Sequence, residues 1–167
     1  MNTAFIALGA NLGDRLDNMK RAIARLSAEE GISIRAVSPL YETVPVGGPV
    51  QGRFLNACAV LKTALPPEEL LLKLLSIEDQ LGRMRDERWG PRLIDLDLLS
   101  YEEVTLKTPI LELPHPRLAE RDFVLIPLFD IAPDLLISGL DMTVSDIIAA
   151  RGPATGVNLF RLSGWHE

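Results

Sequence analysis

Cysteine is almost absent from this 167-residue sequence, with Cys58 alone. That excludes an internal disulfide and any multi-cysteine metal site, suits a reducing compartment, and makes Cys58 most simply a small buried residue. The two histidines, His115 and His166, have no serine in an elbow-like motif to work with, so Ser-His-Asp hydrolysis has no support. No stretch approaches the roughly 18 to 20 apolar residues of a membrane span. The opening MNTAFIALGA lacks a basic region and holds too short an apolar run for a signal peptide, so a cytoplasmic protein without membrane contact is expected. No GxxxxGKS or GxxxxGKT run occurs, and the Gly9 to Gly13 stretch lacks dinucleotide-loop spacing. Any nucleotide would therefore be held by side chains. Positive charge is outweighed too: 17 Lys plus Arg against 23 Asp plus Glu give a net charge of −6, which argues against a general affinity for nucleic acid or anionic membrane.

What remains is a globular mixture, 47% hydrophobic and 24% charged, in a length that suits one domain over residues 1–167. Thr3 to Leu8 reads as a buried strand ending in a Gly-rich turn. Leu16, Met19, Ala22, Ile23 and Leu26 form one side of a helix, opposite Asp17, Arg21 and Arg25, and Gly31 stops it. Ile32 to Thr43 reads as one or two strands broken near Ser38-Pro39, and Arg53 to Thr63 as another, with a loop over Val44 to Gly52 between them. Pro66-Pro67-Glu68-Glu69 opens a helix whose stripe is Leu70, Leu74, Ile77 and Leu81, with Glu78 at its edge, turned toward a site or left wet. Leu93 to Tyr101 reads as a strand, followed by a proline-rich loop over Leu113 to Arg121, short helices near Phe123 to Ile131 and Val144 to Ala150, and a strand over Val157 to Leu162. The order βαββαβ with added helices predicts an α+β, ferredoxin-like split-βαβ sandwich, an antiparallel-rich sheet with helices on both faces.

The basic residues are 13 Arg against 4 Lys, and Arg83, Arg85, Arg88 and Arg92 fall within ten residues. Forked, always-charged guanidinium groups suit phosphate and carboxylate. Immediately after them, in RLIDLDLL, period two puts Asp95 and Asp97 on one strand face and Ile94, Leu96 and Leu98 on the other. Their Cα atoms would lie about 6.6 Å apart, where two negative charges repel by roughly 2.5 kcal/mol at an effective dielectric of 20. A cation removes that cost, and two hard carboxylates without His or Cys neighbours match Mg2+. The plain alternatives are a polar outer strand face and a solvated loop pairing its arginines with Asp86 and Glu87. Taken together, the clusters favour magnesium-dependent polyphosphate chemistry.

Five other residues stand out. Trp89 is either a plug on the core or a stacking face. His115, between Pro114 and Pro116 with Arg117 and Arg121 close behind, is either structural or a phosphate donor. Phe54 and Phe123 look like core. Asn56 follows Phe54 on the same strand face, and an amide among alternating apolar positions needs partners, which makes it a candidate for reading a polar ring edge.

These residues carry a resemblance. The stretches ALGANLGDR, YETVPVG, FLNACAVLKT, RWGPRLIDLDLL and PHPRLAERDFVLIPL resemble the 6-hydroxymethyl-7,8-dihydropterin pyrophosphokinases of folate biosynthesis, over about residues 4 to 135. The most specific of them is RWGPRLIDLD. The resemblance implies transfer of diphosphate from ATP to a pterin alcohol by a monomer, with two Mg2+ ions held by Asp95 and Asp97. It implies ATP contacts at Arg83, Arg85, Arg88, Trp89, Arg92, Leu98, His115 and Arg121, with Arg83 and Arg92 joining the aspartates as catalytic residues. It implies a pterin pocket at Thr43, Val44, Val46, Phe54, Asn56, Trp89, Asp95 and Phe123, the two phenylalanines sandwiching the ring. The chain departs from the family pattern at Ala10, where Ser is common, and at Leu75, Ile110, Glu112 and Pro116, where polar or basic nucleotide contacts are missing.

Two other functions compete. Split-βαβ folds include single-stranded RNA binders, although this sequence lacks clustered strand aromatics and is acidic. A magnesium nuclease could use the same two aspartates.

Overall fold

The computed structural model describes residues 1–45, 52–82 and 93–167. Its principal elements are β1 (Asn2–Ala10), α1 (Arg15–Ala28), β2 (Ile32–Val37), β3 (Leu40–Thr43), β4 (Phe54–Thr63), α2 (Pro67–Gln80) and β5 (Asp95–Tyr101). The hairpin β6 (Leu106–Lys107) and β7 (Glu112–Leu113) follows, then a 3-10 turn (Leu118–Glu120) and α3 (Asp122–Ile131). A second small hairpin, β8 (Leu136–Ile137) and β9 (Met142–Thr143), leads to α4 (Val144–Arg151) and β10 (Val157–Arg161).

Six strands make one sheet in the order β10-β3-β4-β1-β5, with β2 also paired to β4, and the described pairings are antiparallel. Ten residues long, β4 accommodates two partners on one edge, β3 opposite Phe54 to Asn56 and β2 opposite Ala59 to Thr63. The break between them is chemical. Pro39 has no N–H to give the ladder, so Ser38 substitutes: its N–H donates to the Cys58 carbonyl and its Oγ accepts from the Cys58 N–H, both at 2.9 Å.

Among the described residues, α1 and α2 pack on one face of the sheet and α3 and α4 on the other. Met19, Ala22 and Leu26 of α1 and Leu70, Leu74 and Ile77 of α2 pack on Ile6, Leu8, Leu55, Leu61, Leu96 and Leu98. On the opposite face, Val124, Leu125 and Leu128 of α3 and Val144 and Ile147 of α4 pack on Phe5, Ala7, Cys58 and Leu99. Truncating one fully buried leucine here to alanine would cost about 2 to 5 kcal/mol. The fold is the expected α+β sandwich. Among the described residues no helix is long and apolar enough to cross a membrane.

The structure differs from the sequence reading in detail. β1 continues through Gly9 and Ala10 rather than turning there, and β5 starts at Asp95 rather than Leu93. Ile6 pairs with Leu98 and Phe5 with Ser100, leaving Leu99 as an extra residue. That bulge reverses the alternation: Leu96, Leu98 and Tyr101 join the α1–α2 core while Leu99 joins the α3–α4 core. Upstream of it, Asp95 and Asp97 face the α3 side. The expected loop over Val44 to Gly52 falls mostly at residues 46–51, outside the described residues.

Candidate active site

Sheet register builds the floor of the site. Gly9 pairs with Asn56 on β4 and with Asp95 on β5, and Ala7 pairs with Cys58 and Asp97. Asn56, Gly9 and Asp95 thus lie in one row across three strands, with Asn56 and Asp95 about 10 Å apart at two strand spacings. The middle residues are the two smallest, so the floor between the amide and the carboxylate stays low. A Cβ built on Gly9 would lie 2.9 Å from Asn56 Oδ1 and 3.7 Å from a ring carbon of Phe54. Gly9 is there because the Asn56 side chain lies across it.

Above this floor is a cavity of about 410 Å³. Thr43, Val44 and Phe54 stand on one side, Arg121 and Phe123 on the other, with Asn56, Asp95 and Asp97 below. Asn56 Nδ2 donates to Thr43 Oγ1, which fixes the orientation of the amide. The Arg121 guanidinium stands 5.5 Å from the Phe123 ring centroid. Its burial lowers the guanidinium's pKa, while Asp97 and Asp95 pull the other way.

A second cavity of about 370 Å³ opens on the other side of β5 and is lined by the same Asp95 and Asp97. Its apolar wall comes from Leu71, Leu75, Ile110 and Pro116, and its polar groups include Thr108, Glu112 and His115. His115 is held by its own N–H to the Leu99 carbonyl at 2.8 Å, and its Nδ1 accepts the Arg117 N–H at 3.2 Å. With Nδ1 an acceptor, the neutral ring carries its proton on Nε2, a donor. Burial, then Arg121 and Arg117, lower the His115 pKa to about 4, so the ring is neutral near pH 7.

Of the two sequence readings of Glu78, the structure supports a turn toward a site, for Glu78 lines the second cavity and is not left wet. It is 1% exposed, and its Oε2 accepts the Leu96 N–H at 2.7 Å. A buried helix carboxylate therefore holds the backbone between the two aspartates. No periodicity in α2 could signal that, because the partner is a main-chain N–H on another element.

Of the residues singled out from sequence, Thr43, Val44, Phe54, Asn56, Asp95, Asp97, Arg121 and Phe123 line the first cavity. Asp95, Asp97, Leu98 and His115 line the second. Arg121, expected among the ATP contacts, thus stands in the first cavity with the phenylalanines. Phe54 and Phe123 are cavity walls and only partly buried, unlike core residues. Val46, Arg83, Arg85, Arg88, Trp89 and Arg92 lie outside the described residues. Sequence reasoning did not find Gly9, or Arg151 and Thr155 to Val157, which complete the first cavity.

Among the described residues no group of three or more His, Cys, Asp or Glu assembles as a metal cage. The Asp95–Asp97 pair offers two hard carboxylates between two cavities, a donor set that fits Mg2+, which keeps most of its positions for phosphate oxygens and water.

A family model described as 7,8-dihydro-6-hydroxymethylpterin-pyrophosphokinase matches residues 5–133. A Methylorubrum extorquens protein named 2-amino-4-hydroxy-6-hydroxymethyldihydropteridine pyrophosphokinase is 45% identical over 154 residues, 92% of this chain and 96% of that one. A Bacillus subtilis protein of the same name is 47% identical over 130 residues, 78% of each chain. Among solved structures, Plasmodium falciparum HPPK-DHPS with pteroate superposes with a TM-score of 0.73 at 17% identity, covering 90% of this chain. This chain spans 44% of that longer one, and the likeness there is one of fold.

Proposed function

The chain belongs to the 7,8-dihydro-6-hydroxymethylpterin-pyrophosphokinase family, and from that premise we propose that it transfers diphosphate from ATP to 6-hydroxymethyl-7,8-dihydropterin, giving AMP and the pterin diphosphate for folate biosynthesis. The observation that carries the site assignment is the aspartate pair shared by two cavities. A two-substrate reaction needs this: one compartment for each substrate and charged groups at the junction where the reacting atoms meet.

In this assignment the pterin lies in the first cavity between Phe54 and Phe123, with Asn56 and the backbone near Thr43 and Val44 reading its polar edge. A flat ring between two aromatic faces gains offset stacking at little entropic cost. The adenosine occupies the second cavity against Leu71, Leu75, Ile110 and Pro116, which offer an apolar surface in place of polar side-chain contacts. His115 Nε2–H donates to the phosphate chain, and Arg121 approaches it from the pterin side.

The pterin hydroxymethyl oxygen attacks the β-phosphorus, the bond between that phosphorus and the oxygen bridging to the α-phosphorus breaks, and AMP departs. Asp95 and Asp97 would hold Mg2+ at the junction. When bound, the cation neutralises charge on the phosphate oxygens. The Asp97 carboxylate accepts the hydrogen of the attacking hydroxyl and orients its lone pair, while the arginines of residues 83–92 stabilise the charge that builds on the transferred group. The proposal extends to two Mg2+ ions, a monomeric cytoplasmic enzyme and a single domain over residues 1–167.

Incubation with ATP, Mg2+ and 6-hydroxymethyl-7,8-dihydropterin tests the reading, with nucleotides separated by ion-exchange chromatography. AMP should form in step with the pterin diphosphate. Release of ADP instead would mean single-phosphoryl transfer and reject the assignment.

A further inference from the structure

The family model stops at residue 133, yet the first cavity is completed by residues beyond that point. Two sets of contacts tie the C-terminal part of the chain to opposite walls. On the Thr43–Val44 wall, Val157 pairs with Thr43, and the Val44 N–H donates to the Gly156 carbonyl at 3.0 Å. Gly156 has φ +72, and a Cβ there would come within 3.2 Å of Val44 Cγ2. Only glycine fits this approach without displacing Val44. On the Phe123 wall, Arg151 Nε donates to Asp122 Oδ1 at 2.8 Å and its NH1 donates to the Ala119 carbonyl at 3.2 Å. Those bonds hold the start of α3, where Arg121 and Phe123 enter the cavity. Four residues, 152–155, separate the two grips.

We propose that Arg151 to Val157 is a clasp that sets the spacing between the two walls of the pterin cavity, with Gly156 and Arg151 as positioning residues for the pterin. The inference rests on the pterin reading of that cavity. The Gly156 grip bears on the Thr43–Val44 wall, which lines the first cavity and not the second, so it separates pterin binding from ATP binding; the Arg151 grip also holds Arg121, which reaches toward the phosphate chain. A clasp of this kind lets the shared core keep its stacking rings while the segment beyond residue 133 fixes how far apart they stand.

Gly156→Ala tests it, with Gly139→Ala as the matched control. Gly139 has φ +85 with nothing within 4 Å of a built Cβ, so alanine there brings similar backbone strain without contact. Steady-state kinetics should show the pterin KM of Gly156→Ala raised at least five-fold, with kcat and the ATP KM within two-fold of the parent. Fluorescence titration of the pterin into enzyme saturated with an α,β-methylene ATP analogue should show the same loss. Gly139→Ala should leave both pterin values unchanged at a comparable drop in Tm. Arg151→Ala should raise the pterin KM at least three-fold, and because its half-exposed ion pair contributes little to stability, it decides the matter if Gly156→Ala does not fold. A folded Gly156→Ala or Arg151→Ala with parental pterin KM, or an equal rise in Gly139→Ala, overturns the clasp. A parent enzyme that makes no AMP overturns the underlying pterin reading instead.

Discussion

Gly9 shows how little room a single side chain has in this site. A methyl group there would lie 2.9 Å from Asn56 Oδ1, so the amide must swing away and give up its bond to Thr43. Gly9→Ala should raise the pterin KM about ten-fold, the effect of about 1.4 kcal/mol, while Tm falls by only a few degrees; kinetics with differential scanning fluorimetry would read both. His115 carries a second prediction. Its folded pKa of about 4 lies below the ordinary value near 6.5, so between those pH values the unfolded chain takes up a proton that the folded one refuses. Stability attributable to His115 is present above pH 6.5 and is lost as the pH falls toward 4. Thermal melts of the parent should drop across that window, and His115→Gln should flatten the drop. At this scale the sequence was informative wherever parity speaks. Alternation alone put Asp95 with Asp97, and Asn56 with Phe54. It could not separate wall from core, and Phe54 and Phe123 stayed core residues until the family resemblance reassigned them. Gly9 had no legible role, because its reason lies in the Asn56 side chain of a neighbouring strand.

Among elements, the contact between α2 and β5 is the one that shapes the site. Glu78 carries its carboxylate into the core and accepts the Leu96 N–H between the two aspartates. Glu78→Ala would strand that N–H and should lower stability by about 1 to 3 kcal/mol in urea unfolding, with a loss of kcat larger than any rise in the ATP KM. Glu78→Gln keeps an acceptor for Leu96 and should lose less of both. The long elements were readable because they bury continuous stripes: α1, α2 and β4 appear within a residue or two of the periodicity. The hairpins β6–β7 and β8–β9 were not, since two-residue strands carry no period. β5 shows both outcomes in seven residues, its alternation clear up to Leu98 and reversed by the unpaired Leu99. A bulge depends on the partner strand's register, which the local sequence does not encode.

Across the whole molecule, the two cavities meet at one carboxylate pair, and this couples ligand binding to the metal. In the proposed function, MgATP at about 100 times its Kd should add roughly 2.7 kcal/mol to unfolding stability, seen as a rise in Tm. Chelation of Mg2+ by EDTA should remove most of the rise, and Asp97→Ala should show little rise with the metal present. A full MgATP shift in Asp97→Ala would place the metal elsewhere. A net charge of −6 sets the mean field of the chain and not its local distribution, so it is compatible with a site for one small polyanion. Periodicity reached the helix and the last strand after residue 133, present as α4 and β10, but not their place at the cavity, which comes from where the chain returns, beside β3, and from no motif of its own.

That return also settles how the sheet ends. Without β10 the outermost strand would be β3, a regular row of N–H and C=O groups open to pairing with another molecule. The strand that covers it is only five residues long, shifts register between Leu159 and Arg161, and carries an exposed arginine. Short length, a bulge and a charge each make an edge a poor template for edge-to-edge growth. The segment that completes the cavity therefore also covers a sheet edge, and shortening the chain before residue 157 would bare β3 and leave its row of N–H and C=O groups open to edge-to-edge pairing.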